Sequence, residues 1–196
     1  ILGRLADLQR IHAFFDVHGV SRCIILDEMS IIVSAMSVET GDDINTLRRI
    51  LKECRVLAIV GLSANWHRPS YFAAKYMLEH GYRVIPVNPQ YREVLGQKCY
   101  ASLRDIPEKV DLVDVFRKAA DVLPVAEDAI AIGARVFWQQ LGVKNEAAAA
   151  RCRAAGLETV MDRCVKIEHG RLFGGLNWVG VNTGVISAKR PRWLAY

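Results

Sequence analysis

Apolar runs of strand length alternate with amphipathic stretches along residues 56–172. Val56–Val60 is an unbroken apolar run rich in β-branched residues, which predicts a central parallel strand covered on both faces. Gly61 ends the run and a turn of small residues follows. Arg68-Pro69-Ser70 then opens a helix, because proline is tolerated in a first helical turn. This part of the chain therefore predicts a strand, a short loop and a helix N-terminus.

The same alternation continues downstream. Further strands are predicted over 82–87, 111–116, 135–139 and 157–161, with a short extended piece at 98–102. Helices are predicted over 69–80, 121–132, 144–155 and 165–172, with a helical turn at 103–106 and glycine caps at Gly81, Gly133 and Gly156. Short strands alternating with helices predict an α/β, Rossmann-like, doubly wound fold: a mostly parallel five-stranded sheet with helices on both faces.

The sequence before the first strand divides into two parts. An apolar stripe of Ile44, Leu47, Ile50 and Leu51 predicts a helix capped near Asp43. Residues 1–41 match no motif, and three interpretations stay open: an accessory hairpin or helix, an oligomer contact, or upstream sequence foreign to the natural protein. The expected organisation is thus an extension (1–41), a Rossmann-like domain (42–190) whose Gly-rich end packs on it as loops, and a basic tail (191–196).

Composition narrows the class of ligand. The 196 residues are 52% hydrophobic and 24% charged, as in an ordinary globular protein. The net charge of +5 is uneven, being −2 in residues 1–54 and +7 in residues 55–196. This excess suits an anionic small molecule. Nucleic acid is an unlikely partner, because the basic residues are scattered apart from a cluster at 189–192 and no nucleic-acid-binding motif is present.

Cysteine usage and hydropathy indicate the compartment. The five cysteines include no Cys-x-x-Cys pair and no His/Cys metal spacing, which favours reduced thiols in the cytoplasm and no metal. The longest apolar stretch, 23–38, is interrupted by charges and is shorter than the roughly 20 residues of a membrane span. We expect a cytoplasmic protein without a membrane segment. Assembly into a homo-oligomer is left open.

The predicted loop after the first strand is a candidate anion site. Free N–H groups and the positive end of the macrodipole would converge there. Arg68 adds a fixed charge, and a cation at a helix N-terminus is unfavourable by about 0.3–1 kcal/mol unless an anion is nearby. The sequence therefore predicts a nucleotide or phosphate ligand. Such ligands lie beyond the carboxyl ends of the strands, at the switch point of the sheet.

The loop does not fit an ordinary dinucleotide site. Gly61 is the only glycine of the Gly-x-Gly-x-x-Gly pattern that is present, and the second strand ends in neutral Asn88 instead of an acidic residue. Cationic Arg92 and Lys98 follow. A cationic edge near the adenosine ribose suits a ligand with a phosphate there, and both NADP and coenzyme A qualify.

These motifs resemble the small, stand-alone CoA-binding proteins that are related to the N-terminal domain of the succinyl-CoA ligase alpha subunit. The resemblance covers roughly residues 42–190, and its motifs occur in the family's order. They are Val60-Gly61-Leu62-Ser63, Arg68-Pro69-Ser70, Val84-Ile85-Pro86-Val87-Asn88-Pro89, residues 110–117 (VDLVDVFR), Trp138-Gln139-Gln140-Leu141-Gly142, and residues 160–164 (VMDRC) with Lys166.

The resemblance implies coenzyme A bound across the strand ends. It would place Gly61, Ser63 and Arg68 at the phosphates, with Asn65 as a further candidate. It would place Val87, Asn88 and Pro89 along the adenosine, and Val115, Phe116 and Arg117 along the pantetheine. Ligase activity does not carry over. It depends on a phosphorylated histidine in a second domain, and none of the five histidines here lies in a comparable Gly-rich turn.

Several titratable residues invite a catalytic interpretation. We expect Asp114 to be a hydrogen-bonded structural residue, and His67 and His169 to lie at the surface. Cys164 is placed where a helix start favours a thiolate, and two interpretations compete: thiol chemistry such as a mixed disulfide with CoA, or a half-buried structural thiol.

The favoured function is therefore a CoA or acyl-CoA binding protein without an evident catalytic centre, acting as a sensor, carrier or regulatory subunit. The alternatives are an NAD(P)-dependent oxidoreductase of the Rossmann type and an interaction module in which residues 1–40 bind a partner.

Overall fold

A computed structural model describes residues 43–174. The predicted extension (1–41), the Gly-rich end of the predicted domain and the basic tail (191–196) lie outside the described residues. Asp43 caps the first helix, since its carboxylate accepts hydrogen bonds from the N–H groups of Asn45 (3.1 Å) and Thr46 (3.2 Å).

Seven strands occur in the described chain, and five of them form one parallel sheet. In chain order they are β1 (Val56–Val60), β2 (Arg83–Val87), β3 (Glu93–Val94), β4 (Gln97–Lys98), β5 (Leu112–Val115), β6 (Val136–Gln139) and β7 (Glu158–Val160). The large sheet has the order β2-β1-β5-β6-β7, and every neighbouring pair is parallel. The antiparallel hairpin β3–β4 was not predicted, since two-residue strands carry no hydrophobic period.

Five helices pack on the sheet within the described residues. They are α1 (Ile44–Glu53), α2 (Pro69–Glu79), α3 (Val122–Ala131), α4 (Glu146–Ala154) and α5 (Val165–Phe173), with 3₁₀ turns at Leu103–Asp105 and Ala119–Asp121. Each helix lies within two residues of its predicted bounds. None of the helices in this part of the chain has the length and hydropathy that a membrane span needs.

The two faces of the sheet bury separate apolar cores, which confirms the doubly wound fold. Residues of α1, α2 and α5 pack on the first face, while α3 and α4 pack on the second. Alternation along β5 shows the division: Leu112 belongs to the first core, whereas Val113 and Val115 belong to the second. Parallel strands with helices on both faces therefore form the Rossmann-like architecture expected from the sequence.

One residue of the predicted apolar stripe of α1 is exposed instead of buried. Leu47, Ile50 and Leu51 are buried as predicted, but Ile44 is 40% exposed. Burial in α1 begins at Thr46. A helical period fixes which face of a helix is apolar, and it does not fix how far along the helix the neighbouring elements reach.

Candidate nucleotide-binding site

The candidate site lies at the carboxyl edge of the sheet, between β1 and β5. The connection after β1 crosses the first face through α2, and the connection after β5 crosses the second face through α3. Since β1 and β5 are neighbours, the connections that follow them leave for opposite faces of the sheet at this point. Sheets of this type hold ligands in a crevice at such a point, and we call this position the crevice. This is the switch point predicted from the alternating pattern.

Gly61 lies where the loops after β1 and β5 touch. Its φ is +83°, and a Cβ built on it would lie 2.4 Å from the carbonyl oxygen of Phe116. Its N–H donates to the carbonyl of Val87 (2.9 Å), so it also joins the end of β2. The structure thus gives Gly61 a structural role at this junction, and its amide already has an acceptor.

Side chains of the 61–70 loop occupy the N–H groups that were expected to be free for an anion. The hydroxyl of Ser70 accepts from the N–H of Ser63 (3.2 Å), and the hydroxyl of Ser63 accepts from the N–H of Asn65 (3.1 Å). The side-chain oxygen of Asn65 in turn accepts from the N–H of His67 (2.9 Å). The N–H groups of Ser63, Asn65 and His67 therefore already have acceptors within the loop.

The same bonds leave side-chain donors facing outward. A hydroxyl that accepts from an N–H keeps its own hydrogen to donate, and an amide that accepts through oxygen keeps its NH₂. Ser63 and Asn65 thus stay candidate phosphate ligands as donors. Arg68 caps α2 without a capping hydrogen bond, and Pro69 has no N–H, so the first turn of α2 offers little backbone donation.

Three arginines without an ion pair in residues 43–174 lie on the loops that follow β1, β2 and β5. Eight of the thirteen arginines in residues 43–174 form ion pairs, and Arg55 contacts the ring of Tyr82. The four that form neither contact are Arg48, Arg68, Arg92 and Arg117, and the last three follow β1, β2 and β5. No carboxylate occurs in 61–68, 88–92 or 116–120, so this edge concentrates positive charge without internal compensation.

Of the two predicted site residues that follow β2, Asn88 has a structural role and Pro89 lies at the surface. Asn88 is 8% exposed. Its Nδ2 donates to the carbonyl of Leu62 (2.9 Å) and its Oδ1 accepts from the N–H of Gln90 (3.0 Å). Its side chain therefore joins the loops after β1 and β2, whereas Pro89 is exposed.

The two predicted lining valines point into the sheet core. Val87 and Val115 are 3% and 0% exposed and belong to the second core. Phe116 is partly buried against the first core, and Arg117 is exposed. Any contact that the valines make with a ligand is therefore made by their backbone.

Asp114 is completely buried beneath the crevice, on β5. Gln140 donates its Nε2 hydrogens to both carboxyl oxygens (2.8 and 2.9 Å), as expected for a structural residue. Burial raises the pKa of this carboxyl from 3.8 to about 8, although the hydrogen bonds from Gln140 and the N–H of Val115 oppose the shift.

The structure favours the half-buried structural thiol for Cys164 and contradicts the expectation for His169. Burial raises the pKa of the Cys164 thiol and outweighs the N–H groups of Ile167 and Lys166, so the start of α5 does not favour a thiolate. His169 is 8% exposed and lies between helices, not at the surface. His67 is exposed as predicted. No cluster of three or more metal-ligating side chains occurs in the part of the chain that the structure describes.

Sequence reasoning also missed residues that belong to this edge. Ser70 holds the N–H of a residue seven positions away, which no local pattern signals. Lys118 is exposed beside Arg117, and the lack of acidic residues in that loop was the available signal. Trp66 is 60% exposed, with its ring centroid 3.7 Å from that of His67.

The fold is of the Rossmann-like class, and comparison with known proteins specifies the family. A family model described as "CoA binding domain" matches residues 55–170. The chain is 39% identical over 123 residues to the uncharacterized protein YneT of Bacillus subtilis, which covers 63% of this chain and 91% of that protein. The chain therefore belongs to the CoA-binding domain family.

Solved structures and larger enzymes agree with this family. A hypothetical protein from Pyrococcus horikoshii superimposes with a TM-score of 0.68 at 43% identity, covering 69% of this chain and 96% of that one. Over 56 residues the chain is 34% identical to an ADP-forming acetate–CoA ligase of Methanocaldococcus jannaschii. That match covers 29% of this chain and only 8% of the ligase, so the chain corresponds to a small part of the enzyme.

Proposed function

We propose that the chain binds coenzyme A or an acyl-CoA at the carboxyl edge of β2, β1 and β5, and that it acts as a sensor, carrier or regulatory subunit. Membership of the CoA-binding domain family supports this ligand class. The observation that carries the proposal is the set of unpaired arginines on three adjacent loops that lack a carboxylate. A ligand with separated phosphates would neutralise them.

The three arginines favour coenzyme A over a simple dinucleotide. Arg117 lies beside Gly61, since its Cδ is 3.4 Å from a Cβ built on that glycine, and Arg68 caps α2 at the end of the same loop as Gly61. Both arginines would contact the pyrophosphate, together with the hydroxyl of Ser63 and the NH₂ of Asn65. Arg92 follows the outer strand β2, where the adenosine ribose lies in sheets of this type. CoA and NADP carry a phosphate on that ribose, whereas NAD has hydroxyls that need an acidic partner.

Calorimetry with CoA, acetyl-CoA, NADP and NAD tests this order of preference. We expect CoA and acetyl-CoA to bind, NAD to bind far more weakly and NADP to fall between them. Similar affinities for CoA and acetyl-CoA would indicate that the acyl group lies outside the site. Tighter binding of NADP than of CoA would instead support the alternative of an NADP-linked protein, and no binding of CoA at millimolar concentration would contradict the proposal.

Replacing Arg68 tests the pyrophosphate contact. We expect Arg68→Ala to weaken CoA binding by about 1.5–3 kcal/mol, the range for a hydrogen bond between charged groups. The thermal stability of this variant should stay near that of the wild type. Arg68 is exposed and makes no ion pair within residues 43–174 and no capping bond. Calorimetry of the variant gives the affinity.

Arg48→Ala is the matched control. Arg48 is also an exposed arginine without an ion pair among the described residues, but it lies on α1 and not on a loop at the carboxyl edge. Its replacement should leave the affinity unchanged. An equal loss in both variants would reflect net charge alone and would remove Arg68 from the site.

A further inference from the structure

A buried histidine lies between α2 and α5, away from the arginines at the carboxyl edge. The Nδ1 of His169 on α5 lies 3.1 Å from the hydroxyl oxygen of Tyr76 on α2. His80, near the end of α2, stacks on the Tyr76 ring, with centroids 3.9 Å apart. We call His80, His169 and Tyr76 the α2–α5 histidine cluster.

The cluster sits at a close helix contact. A Cβ on Gly170 would lie 3.4 Å from the Tyr76 hydroxyl, which is about van der Waals contact, so the two helices lie close together here. The ring of His169 also meets Tyr82 (5.4 Å between centroids) and Phe173 (5.0 Å) in edge or tilted contacts. His169 thus fills an enclosed site, and its protonation state matters to the packing of α5.

The surroundings of His169 are unfavourable for a second proton. On α2, Tyr76 and His80 face His169, and the ring centroids of His80 and His169 are 5.1 Å apart. The charge of Arg55, in the segment before β1, also acts on His169. No carboxylate is among the groups that contact its ring in residues 43–174. Burial lowers the pKa of His169, and the charges of His80 and Arg55 lower it further.

Protonation would also change the hydrogen bond that joins the helices. While Nδ1 is unprotonated, the Tyr76 hydroxyl donates to it. An imidazolium donates from both nitrogens. The Tyr76 hydroxyl would then have to accept from Nδ1, and its own hydrogen would no longer have Nδ1 as an acceptor. The partner nitrogen of His80 offers no replacement, since its Nδ1 is 2.7 Å from the carbonyl oxygen of Tyr76 and must donate to it.

We propose that protonation of His169 loosens the packing of α5 on α2, which makes this helix contact sensitive to pH below about 6.5. Both helices begin at the carboxyl edge, α2 after Arg68 and α5 after Cys164. A consequence that rests on the proposed function is therefore weaker CoA binding in mild acid.

Hydrogen exchange with mass spectrometry measures the effect without a ligand. After correction for intrinsic rates, we expect protection of α5 amides to fall by roughly tenfold for each pH unit below about 6.5, until the pKa of His169 is passed. Amides of β1 should lose much less. In His169→Gln, which keeps an acceptor for the Tyr76 hydroxyl but does not titrate, the selective loss should disappear. His67→Gln, at an exposed loop position, should behave like the wild type.

Two outcomes would overturn the proposal: equal protection of α5 at pH 7.5 and 5, or the same selective loss in His169→Gln. Proton NMR of the wild-type protein decides the matter even if that variant does not fold. The Cε1–H resonance of His169 should titrate below pH 6.5, and a midpoint at or above pH 6.5 would contradict the proposal.

Calorimetry with CoA at pH 7.5 and 5 then tests the consequence for ligand binding. If CoA binds at neither, the proposed function fails while the exchange data still decide the role of His169.

Discussion

Gly61→Ala is expected to destabilise the protein by about 2–5 kcal/mol. A residue with a Cβ at φ +83° costs about 1–2 kcal/mol in the left-handed region. The added methyl group would also lie 2.4 Å from the carbonyl oxygen of Phe116. That contact is with backbone, so a strand end has to move, and overpacking of this kind costs about 1–3 kcal/mol more. Urea unfolding measures the sum.

Gly133→Ala separates the two contributions. Gly133 has a φ of +67°, but a Cβ there would meet nothing within 4 Å. Only the conformational cost of about 1–2 kcal/mol applies. A loss of stability in Gly61→Ala that is no larger than in Gly133→Ala would show that Gly61 and the backbone of Phe116, just after β1 and β5, are not in close contact. The prediction therefore tests the geometry of the candidate site without any ligand.

Asp114→Asn is expected to alter the pH dependence of stability. Because burial raises the pKa of Asp114 to about 8, the native state holds this proton more tightly than the unfolded state does. The contribution of Asp114 to the free energy of unfolding is thus fully present below about pH 4. This contribution declines by about 1.4 kcal/mol for each pH unit as the pH rises towards the pKa of the carboxyl in the folded protein.

The asparagine variant should lack this decline. Asparagine has nearly the same shape, and its side-chain oxygen can still accept one hydrogen bond from the Nε2 of Gln140. Relative to the wild type, Asp114→Asn should gain stability steadily as denaturant unfolding is repeated from pH 4.5 to 8.5. Subtracting the two curves removes the opposing contribution of His169. Asp121→Asn, an exposed aspartate without a capping bond, should give no such difference. A wild-type-minus-variant difference that is the same at every pH would show that Asp114 is ionised in the native protein.

The elements of this fold were predictable because their signals are local. Val56–Val60 is buried on both sides of a parallel sheet, so the whole run must be apolar, and that makes it visible in the sequence. The predicted glycine caps Gly81, Gly133 and Gly156 all have positive φ, since few other residues adopt that conformation. The β3–β4 hairpin escaped prediction because strands of two residues have no period to read.

The candidate site was predictable in place but not in detail. Strand and helix order fixed the switch point, and Arg68 was recognisable as a cation at a helix N-terminus. The donor set was not: the N–H groups of Ser63, Asn65 and His67 are used by neighbouring side chains. Which serine or amide reaches which N–H depends on loop backbone angles that no spacing rule specifies.

The sequence by itself determined the sheet, its helices and the edge at which we expect a ligand, and the resemblance of its motifs indicated the CoA-binding family. The sheet, its helices and the candidate edge follow from hydrophobic period, glycine conformation and net charge, which are carried by residues close together in the chain. Only the tertiary structure decided that burial raises the pKa of Asp114, that His169 is enclosed between two helices, and that Arg68, Arg92 and Arg117 have no acidic partner within residues 43–174. Burial and ion pairing depend on residues far apart in sequence, so they exist only once the chain has folded.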